Sequence, residues 1–129
     1  MGGTALSIQA TYNGAPMWEA RPLLLTATSN TDVYTATSNN ELCAGFSIAN
    51  SSSGGVAISV FYYNLTDTTS YLIWRGTIAA DGATIIDNLP QRLRTGDKIT
   101  ATAATGNVLT IKPFMMRQGR TEQATAPAA

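Results

Sequence analysis

Histidine is absent from this 129-residue chain, and cysteine occurs once, as Cys43. Without histidine the chain has no imidazole metal ligand, no Ser-His-Asp or Cys-His arrangement and no histidine general base. A single cysteine cannot form a disulfide within the chain or a Cys-x-x-Cys zinc or redox site. The Asp-x-Asp-x-Asp pattern of calcium loops does not occur. We therefore predict that the protein is not an enzyme and has no catalytic residue, no cofactor and no metal.

Charge is scarce as well. Charged residues make up 12% of the chain, whereas about 25% is usual for a globular protein. Eight basic residues balance eight acidic ones, so the formal net charge is zero. A nucleic-acid surface normally carries a basic stripe or patch, so this balance predicts no nucleic-acid partner. A chain without net charge lacks the repulsion that keeps copies apart, which favours self-association.

Long hydrophobic runs are missing. The longest, residues 22–25 (PLLL), is far shorter than the roughly 18 residues of a membrane span. The first residues have neither the basic region nor the apolar core of a signal peptide. These features predict no membrane contact and a protein made in a reducing cytoplasm.

The chain does contain short runs in which polar and apolar residues alternate. Residues 55–64 (GVAISVFYYN) place Val56, Ile58, Val60 and Tyr62 on one face of a strand. Strand and turn sequences recur roughly every 8 to 12 residues, which is typical of a sandwich or barrel. We predict an all-β chain with a single β-sandwich or jelly-roll-like domain of about seven or eight strands. The predicted strands cover residues 33–36, 42–49, 55–64, 70–77, 84–86, 98–103 and 108–112, with a further one over 6–12 that could instead belong to an arm.

Two connections have distinct sequences. Residues 50–55 (NSSSGG) are dense in turn-forming residues, so we predict that strands 42–49 and 55–64 form a hairpin. Residues 87–94 (DNLPQRLR) are broken by a proline and predict an irregular crossing segment.

The two ends differ from the middle. In residues 13–25 the apolar residues follow neither the period of a strand nor that of a helix. Residues 115–129 have almost no core-forming side chains after two methionines. We predict an N-terminal arm over 1–25, the β-sandwich over 26–114 and a C-terminal arm over 115–129. Arms that reach across neighbouring subunits add buried area at a modest cost in loop entropy. The side chains predicted to contact a partner or second subunit are Trp18, Leu23, Leu24, Leu25, Phe61, Tyr63, Met115, Met116 and Arg117.

The remaining polar and aromatic residues have simple interpretations. Asp67, Asp81 and Asp97 each lie in a turn sequence, where an aspartate caps local backbone amides. Cys43 has apolar neighbours and no flanking base, which predicts a small, partly buried residue. The rings of Tyr62 and Tyr63 point to opposite faces because they are adjacent in a strand. Most aromatic residues are therefore expected in the core or at an interface.

Six short turn-and-strand motifs follow one another along residues 33–112. They are VYTA at 33–36, SIANSS at 47–52, YLI at 71–73, DGATII at 81–86, LRTGDKI at 93–99 and GNVLT at 106–110. This order of features resembles small structural proteins of tailed bacteriophages, and the resemblance covers about two thirds of the chain.

The resemblance implies a β-sandwich virion protein that is often oligomeric, assembled in the host bacterial cytoplasm. We expect a capsid decoration (cement) protein that stabilises the head. Its expected partners are further copies of itself, for example in a trimer, and the major capsid protein or other virion proteins. A neck, tail or baseplate protein is the alternative within the same class. From a different class, a carbohydrate-binding receptor module would use the rings of Tyr63, Tyr71 or Trp74.

Overall fold

Alternating apolar residues form strands throughout the part of the chain that the computed structural model describes, residues 11–12 and 15–117. Side chains are described from residue 20. The described segments contain eleven strands and no helix, so the all-β prediction is confirmed. The strands are β1 (Thr11–Tyr12), β2 (Ala15–Glu19), β3 (Leu23–Leu24), β4 (Thr31–Thr35), β5 (Glu41–Asn50), β6 (Val56–Asn64), β7 (Thr69–Ile78), β8 (Ala83–Ile86), β9 (Gln91–Leu93), β10 (Lys98–Ala103) and β11 (Leu109–Arg117).

The strands form two antiparallel sheets packed as a β-sandwich. The larger sheet has seven strands in the order β1-β2-β11-β5-β8, with β3 also pairing with β11 and β9 with β5. The smaller sheet has four strands in the order β4-β10-β6-β7. The predicted count of seven or eight strands was low because four strands at the edges and crossings have only two to five residues.

The core lies between the sheets and follows the alternation of the sequence. From the four-stranded sheet, Ile58, Val60 and Ile99 are buried, as the pattern of β6 and β10 requires. From the seven-stranded sheet, Phe46 and Ile111 are buried with them in one cluster. Burial of such side chains is the main source of stability in a fold of this kind.

The predicted hairpin between β5 and β6 is wrong, because these strands belong to different sheets. Both sides of β5 are already occupied, by β11 on one side and by β8 and β9 on the other. The buried Asn50 side chain holds the crossing loop, with Nδ2 2.9 Å from the Gly54 carbonyl oxygen and 3.0 Å from that of Ile78. Its Oδ1 accepts the Ser52 N–H at 2.9 Å.

The predicted arms are also corrected where the structure describes them. β2 and β3 both pair with β11, so residues 15–19 and 23–24 belong to the seven-stranded sheet. β11 continues through residues 115–117 and pairs with β5 along this stretch. Residues 1–10, 13–14 and 118–129, which carry the rest of both predicted arms, lie outside the described residues.

Candidate interaction surface

Three of the side chains predicted to contact a partner are buried inside the chain. Leu25 and Met115 are fully buried in the core, and Met116 is 2% exposed. The Leu25 N–H donates to the Leu109 carbonyl at 2.9 Å, which holds the chain against β11 as it leaves β3. The prediction was wrong for these three residues because the sheet extends further at both ends than the sequence pattern suggested.

The other predicted contacts from the two ends lie on strands of the same sheet. The backbone of Trp18 pairs with Met115. Leu23 is half-buried against the core, whereas its neighbour Leu24 is 44% exposed. Arg117 is exposed at the end of β11, with Nη2 3.5 Å from the carboxylate of Glu41.

Glu41 is a fully buried carboxylate that the sequence did not single out. Its oxygens accept hydrogen bonds from the Tyr34 hydroxyl, from the Thr37 N–H at 3.2 Å and hydroxyl at 3.0 Å, and from the Ser38 hydroxyl at 3.0 Å. Burial raises the pKa of this carboxyl, but the hydrogen bonds outweigh burial and the net pKa is lowered. The cluster joins β5 to β4 across the sandwich, so its evident role is structural.

Asp97 forms a second buried cluster in the turn before β10. Its carboxylate accepts the N–H groups of Leu65 at 3.0 Å and Arg94 at 3.1 Å, and the Tyr62 hydroxyl at 2.8 Å. Burial raises the pKa of Asp97, but these hydrogen bonds outweigh it and lower the net value. The predicted capping of a local amide is confirmed, and the link to Tyr62 and Leu65 ties two turns together.

Cys43 is buried, as predicted, on the core side of β5. Burial raises the pKa of its thiol to about 11, although hydrogen bonds to backbone groups act in the opposite direction. Because the thiolate is the reactive form of cysteine, this side chain is unreactive at neutral pH.

The outer face of the four-stranded sheet carries the two remaining predicted contacts, Phe61 and Tyr63. Phe61 pairs with Leu72 of β7, which is 47% exposed. The Lys98 ammonium lies 5.4 Å from the Tyr63 ring centre and forms an ion pair with Asp32 at 2.9 Å. We call this set, Phe61, Tyr63 and Leu72, the outer patch.

Next to the outer patch, the same face has a shallow groove of about 420 Å³. Its lining includes the small side chains of Ala57, Ser59 and Thr102 and the guanidinium group of Arg75. Arg75 Nε donates to the Ser59 hydroxyl at 3.4 Å. The groove is open, and its lining has no pair of acidic groups that could act as acid and base.

The three rings of the carbohydrate alternative do not share a surface. Trp74 faces the core, where its ring meets Phe46 edge to face at 6.1 Å between centres. Tyr71 stacks beside Tyr62 at 6.4 Å on the inner side of the sheet, and its hydroxyl donates to Asp67 at 2.8 Å. Tyr63 alone lies on the outer face, because its strand alternates.

Among the described residues, no group of three His, Cys, Asp or Glu side chains is placed to hold a metal ion. The same residues contain no helix long and apolar enough to cross a bilayer.

Comparison with known proteins gives no family. No protein-family model matches the chain, and no curated protein matches it. Among solved structures, the chain resembles the Clostridium thermocellum N-terminal endo-1,4-β-D-xylanase 10B, CBM22-1–GH10 modules complexed with xylohexaose, with a TM-score of 0.46 and 14% identity. The match covers 88% of this chain and 24% of that one. Neither a family nor a ligand follows from a likeness this distant.

Proposed function

We propose that this protein is a non-enzymatic structural component of a tailed-phage virion, a capsid decoration protein that self-associates and stabilises the head. The virion role rests on the sequence resemblance of residues 33–112. The single structural observation that supports an assembly role is the exposure of large apolar side chains on both sheets.

Large apolar side chains are exposed on both sheets and in the turn that follows β6. Leu65 is 48% exposed, Tyr71 46% and Leu72 47%. On the seven-stranded sheet, Leu24 is 44% and Ile85 68% exposed. Exposed side chains of this kind supply apolar area that a partner can bury, and zero net charge leaves little repulsion between copies. A repeating lattice would strengthen weak contacts of this kind through multivalent binding.

The neck, tail or baseplate position would use the same surfaces, and no feature of the described residues favours it over the capsid. The carbohydrate alternative is less well supported, because the half-buried Trp74 packs against the core and Tyr71 and Tyr63 lie on opposite sides of their sheet.

Purified particles from the phage that encodes the chain test this proposal. We expect peptides of the chain in the particle fraction, and antibody label distributed over the head. Heads that lack the chain should release DNA at a lower temperature than complete heads. Absence of the chain from purified particles would contradict the virion role, and label confined to the tail would contradict the decoration role.

A further inference from the structure

Within the part of the chain that the structure describes, the outermost strands of the two sheets differ in length and protection. Natural proteins protect edges by keeping them short or by placing charges on them. β1 has two residues and β8 has four, and β4 has five with Asp32 in an ion pair. β7 has ten residues, of which only Arg75 is charged. Among the described residues it pairs with β6 alone.

A β-bulge lies at the centre of β7. The pairing with β6 shifts between Val60, opposite Trp74, and Phe61, opposite Leu72, so Ile73 is the extra residue. Ile73 and Trp74 both pack against the core. The outer face of β7 therefore carries Ser70, Leu72, Arg75 and Thr77, with a step of three residues across the bulge in place of two.

This spacing makes β7 complementary to a second copy of itself. When two copies run antiparallel and residue numbers in each pair add up to 147, Ser70 meets Thr77 and Leu72 meets Arg75, all on the outer face. Tyr71 meets Gly76 and Ile73 meets Trp74, all on the inner face. A continuous sheet requires paired residues to share a face, and this register satisfies that over the full length of the strand.

We infer that two copies of this chain pair antiparallel through β7 about a two-fold axis between Ile73 and Trp74, which joins the two four-stranded sheets into one of eight strands. Backbone hydrogen bonds between the edges supply the contact, as in other cases of strand addition. The contact is self-complementary, so it forms a closed dimer and cannot by itself build the expected cyclic trimer. The inference depends only on the geometry of β7 and holds whether or not the chain belongs to a virion.

The side chains next to the edge suit this pairing. Leu72 is 47% exposed and would lie against the aliphatic stem of the partner's Arg75. Tyr71, 46% exposed, would pair with Gly76 of the second copy, over which that copy's own Trp74 ring lies, so the two rings would meet on the inner face. Within the described residues, the guanidinium group of Arg75 pairs with no acidic group, and its one hydrogen bond is to the Ser59 hydroxyl.

Disulfide cross-linking tests the register. Partner residues in an antiparallel pair have Cα atoms about 4.5 or 5.5 Å apart, a distance that a disulfide spans. A mixture of Ser70→Cys and Thr77→Cys chains should form cross-linked dimers under mild oxidation. Each variant alone should not, because its two cysteines lie seven residues apart along the paired strands, roughly 23 Å. The native Cys43 is buried and does not interfere.

Charge variants of Leu72 test the same contact without cross-linking. Leu72→Arg places two arginines opposite each other at each of two symmetric sites, so the dimer dissociation constant should rise roughly tenfold or more. Leu72→Glu removes the same apolar group but places an acid opposite Arg75, so its dimer should persist. The double variant Leu72→Arg with Arg75→Glu should restore the dimer.

Both single variants change a half-exposed site, and circular dichroism checks that they fold. Three results would overturn the inference. The first is a wild-type chain that remains a monomer at about 200 µM. The second is cross-linking of each single-cysteine variant alone that equals the cross-linking of their mixture. The third is an equal loss of association in Leu72→Arg and Leu72→Glu.

Discussion

The seven-stranded sheet ends in strands of two and four residues, whereas the four-stranded sheet ends on one side in the ten-residue β7. The central strands of the larger sheet, β5 and β11, are paired on both sides, and β5 contributes the buried Phe46 and Glu41. The smaller sheet exposes Leu72 and Tyr71 on β7, which pairs with β6 alone among the described residues. Both sheets supply buried side chains to the shared core, among them Ile58 and Val60 of the smaller sheet. The difference teaches that the two sheets are alike in the core and unlike at their edges, and the proposed association uses the long edge of the smaller sheet.

The largest expected difference in the free energy of unfolding is between alanine variants of two phenylalanines, one from each sheet. Phe46→Ala removes a ring that is 1% exposed and packs against Trp74, so it should lower the free energy of unfolding by about 3–5 kcal/mol. Phe61→Ala, on the outer face, should cost less than half as much. Urea denaturation of both variants measures the difference. Equal losses of stability would contradict the placement of Phe46 in the core and of Phe61 on the outer face of the smaller sheet.

The next largest expected difference in the free energy of unfolding is between variants of two carboxylates, one buried and one exposed. Glu41→Gln leaves the donors of Tyr34, Thr37 and Ser38 without the charged acceptor they surround, and it should cost about 3 kcal/mol in the free energy of unfolding. Asp32→Asn breaks an exposed ion pair with Lys98 and should cost no more than about 1 kcal/mol. The same denaturation measurement compares the two. A Glu41→Gln variant as stable as Asp32→Asn would show that the buried cluster is not a stabilising element.

The pH dependence of stability follows from the same two clusters. The pKa values of Glu41 and Asp97 are lowered in the folded chain from ordinary values of 4.5 and 3.8. At pH values between the folded and unfolded pKa, the unfolded chain binds more protons, so the stability from these groups is present at neutral pH. It should decline as the pH falls below about 4.5 towards the folded pKa values. Denaturant midpoints from pH 7 to pH 3 measure this, and Glu41→Gln should flatten the curve.

At alkaline pH the tyrosines of these clusters give the opposite dependence, in which stability falls as the pH rises. Burial first, and then the adjacent carboxylate, raises the pKa of Tyr34 and of Tyr62 above 10.0. The unfolded chain then loses protons before the folded one, so stability should decline as the pH rises above 10. An unchanged midpoint between pH 9 and pH 11 would contradict the buried hydroxyl–carboxylate pairs.

The smallest expected effect on unfolding is at the free edge. At concentrations where the chain is monomeric, Leu72→Arg should change the free energy of unfolding by no more than about 0.5 kcal/mol, because the side chain is half-exposed. The same variant should give the large loss of association described above. A Leu72→Arg monomer as unstable as Phe46→Ala would mean that the Leu72 side chain stabilises the fold, and it would contradict the assignment of Leu72 to an association edge.

The sequence predicted the strands where alternation is regular, as in β6 and β10, because burial on one face alone sets that pattern. It did not predict which strands are neighbours. The loop at 50–55 has the composition of a hairpin, but Asn50 binds the end of β7 and directs the chain into the other sheet. Such a contact joins residues 28 positions apart and leaves no local signal.

Proline explains the error at the C-terminal end. Pro113 lies within β11, a strand that is paired on both sides, although proline lacks the N–H that a central strand normally donates. A bulge beside Phe114 accompanies it, and the strand continues through Met115 and Met116. Glu41 was missed for a related reason, since its hydrogen-bond donors meet only in the folded chain. Of the proposed interaction surface, Phe61 and Tyr63 were predicted, whereas the free edge of β7 depends on the strand order.

The mass of the 129-residue chain in solution tests the central claim most directly, namely that this molecule associates through its smaller sheet. Light scattering at near-physiological salt should give a discrete assembly larger than the 13.6 kDa of one chain. It should also give the mass of one chain for Leu72→Arg at the same concentration. A wild-type mass of 13.6 kDa at every concentration, or an assembly that Leu72→Arg leaves unchanged, would contradict the account.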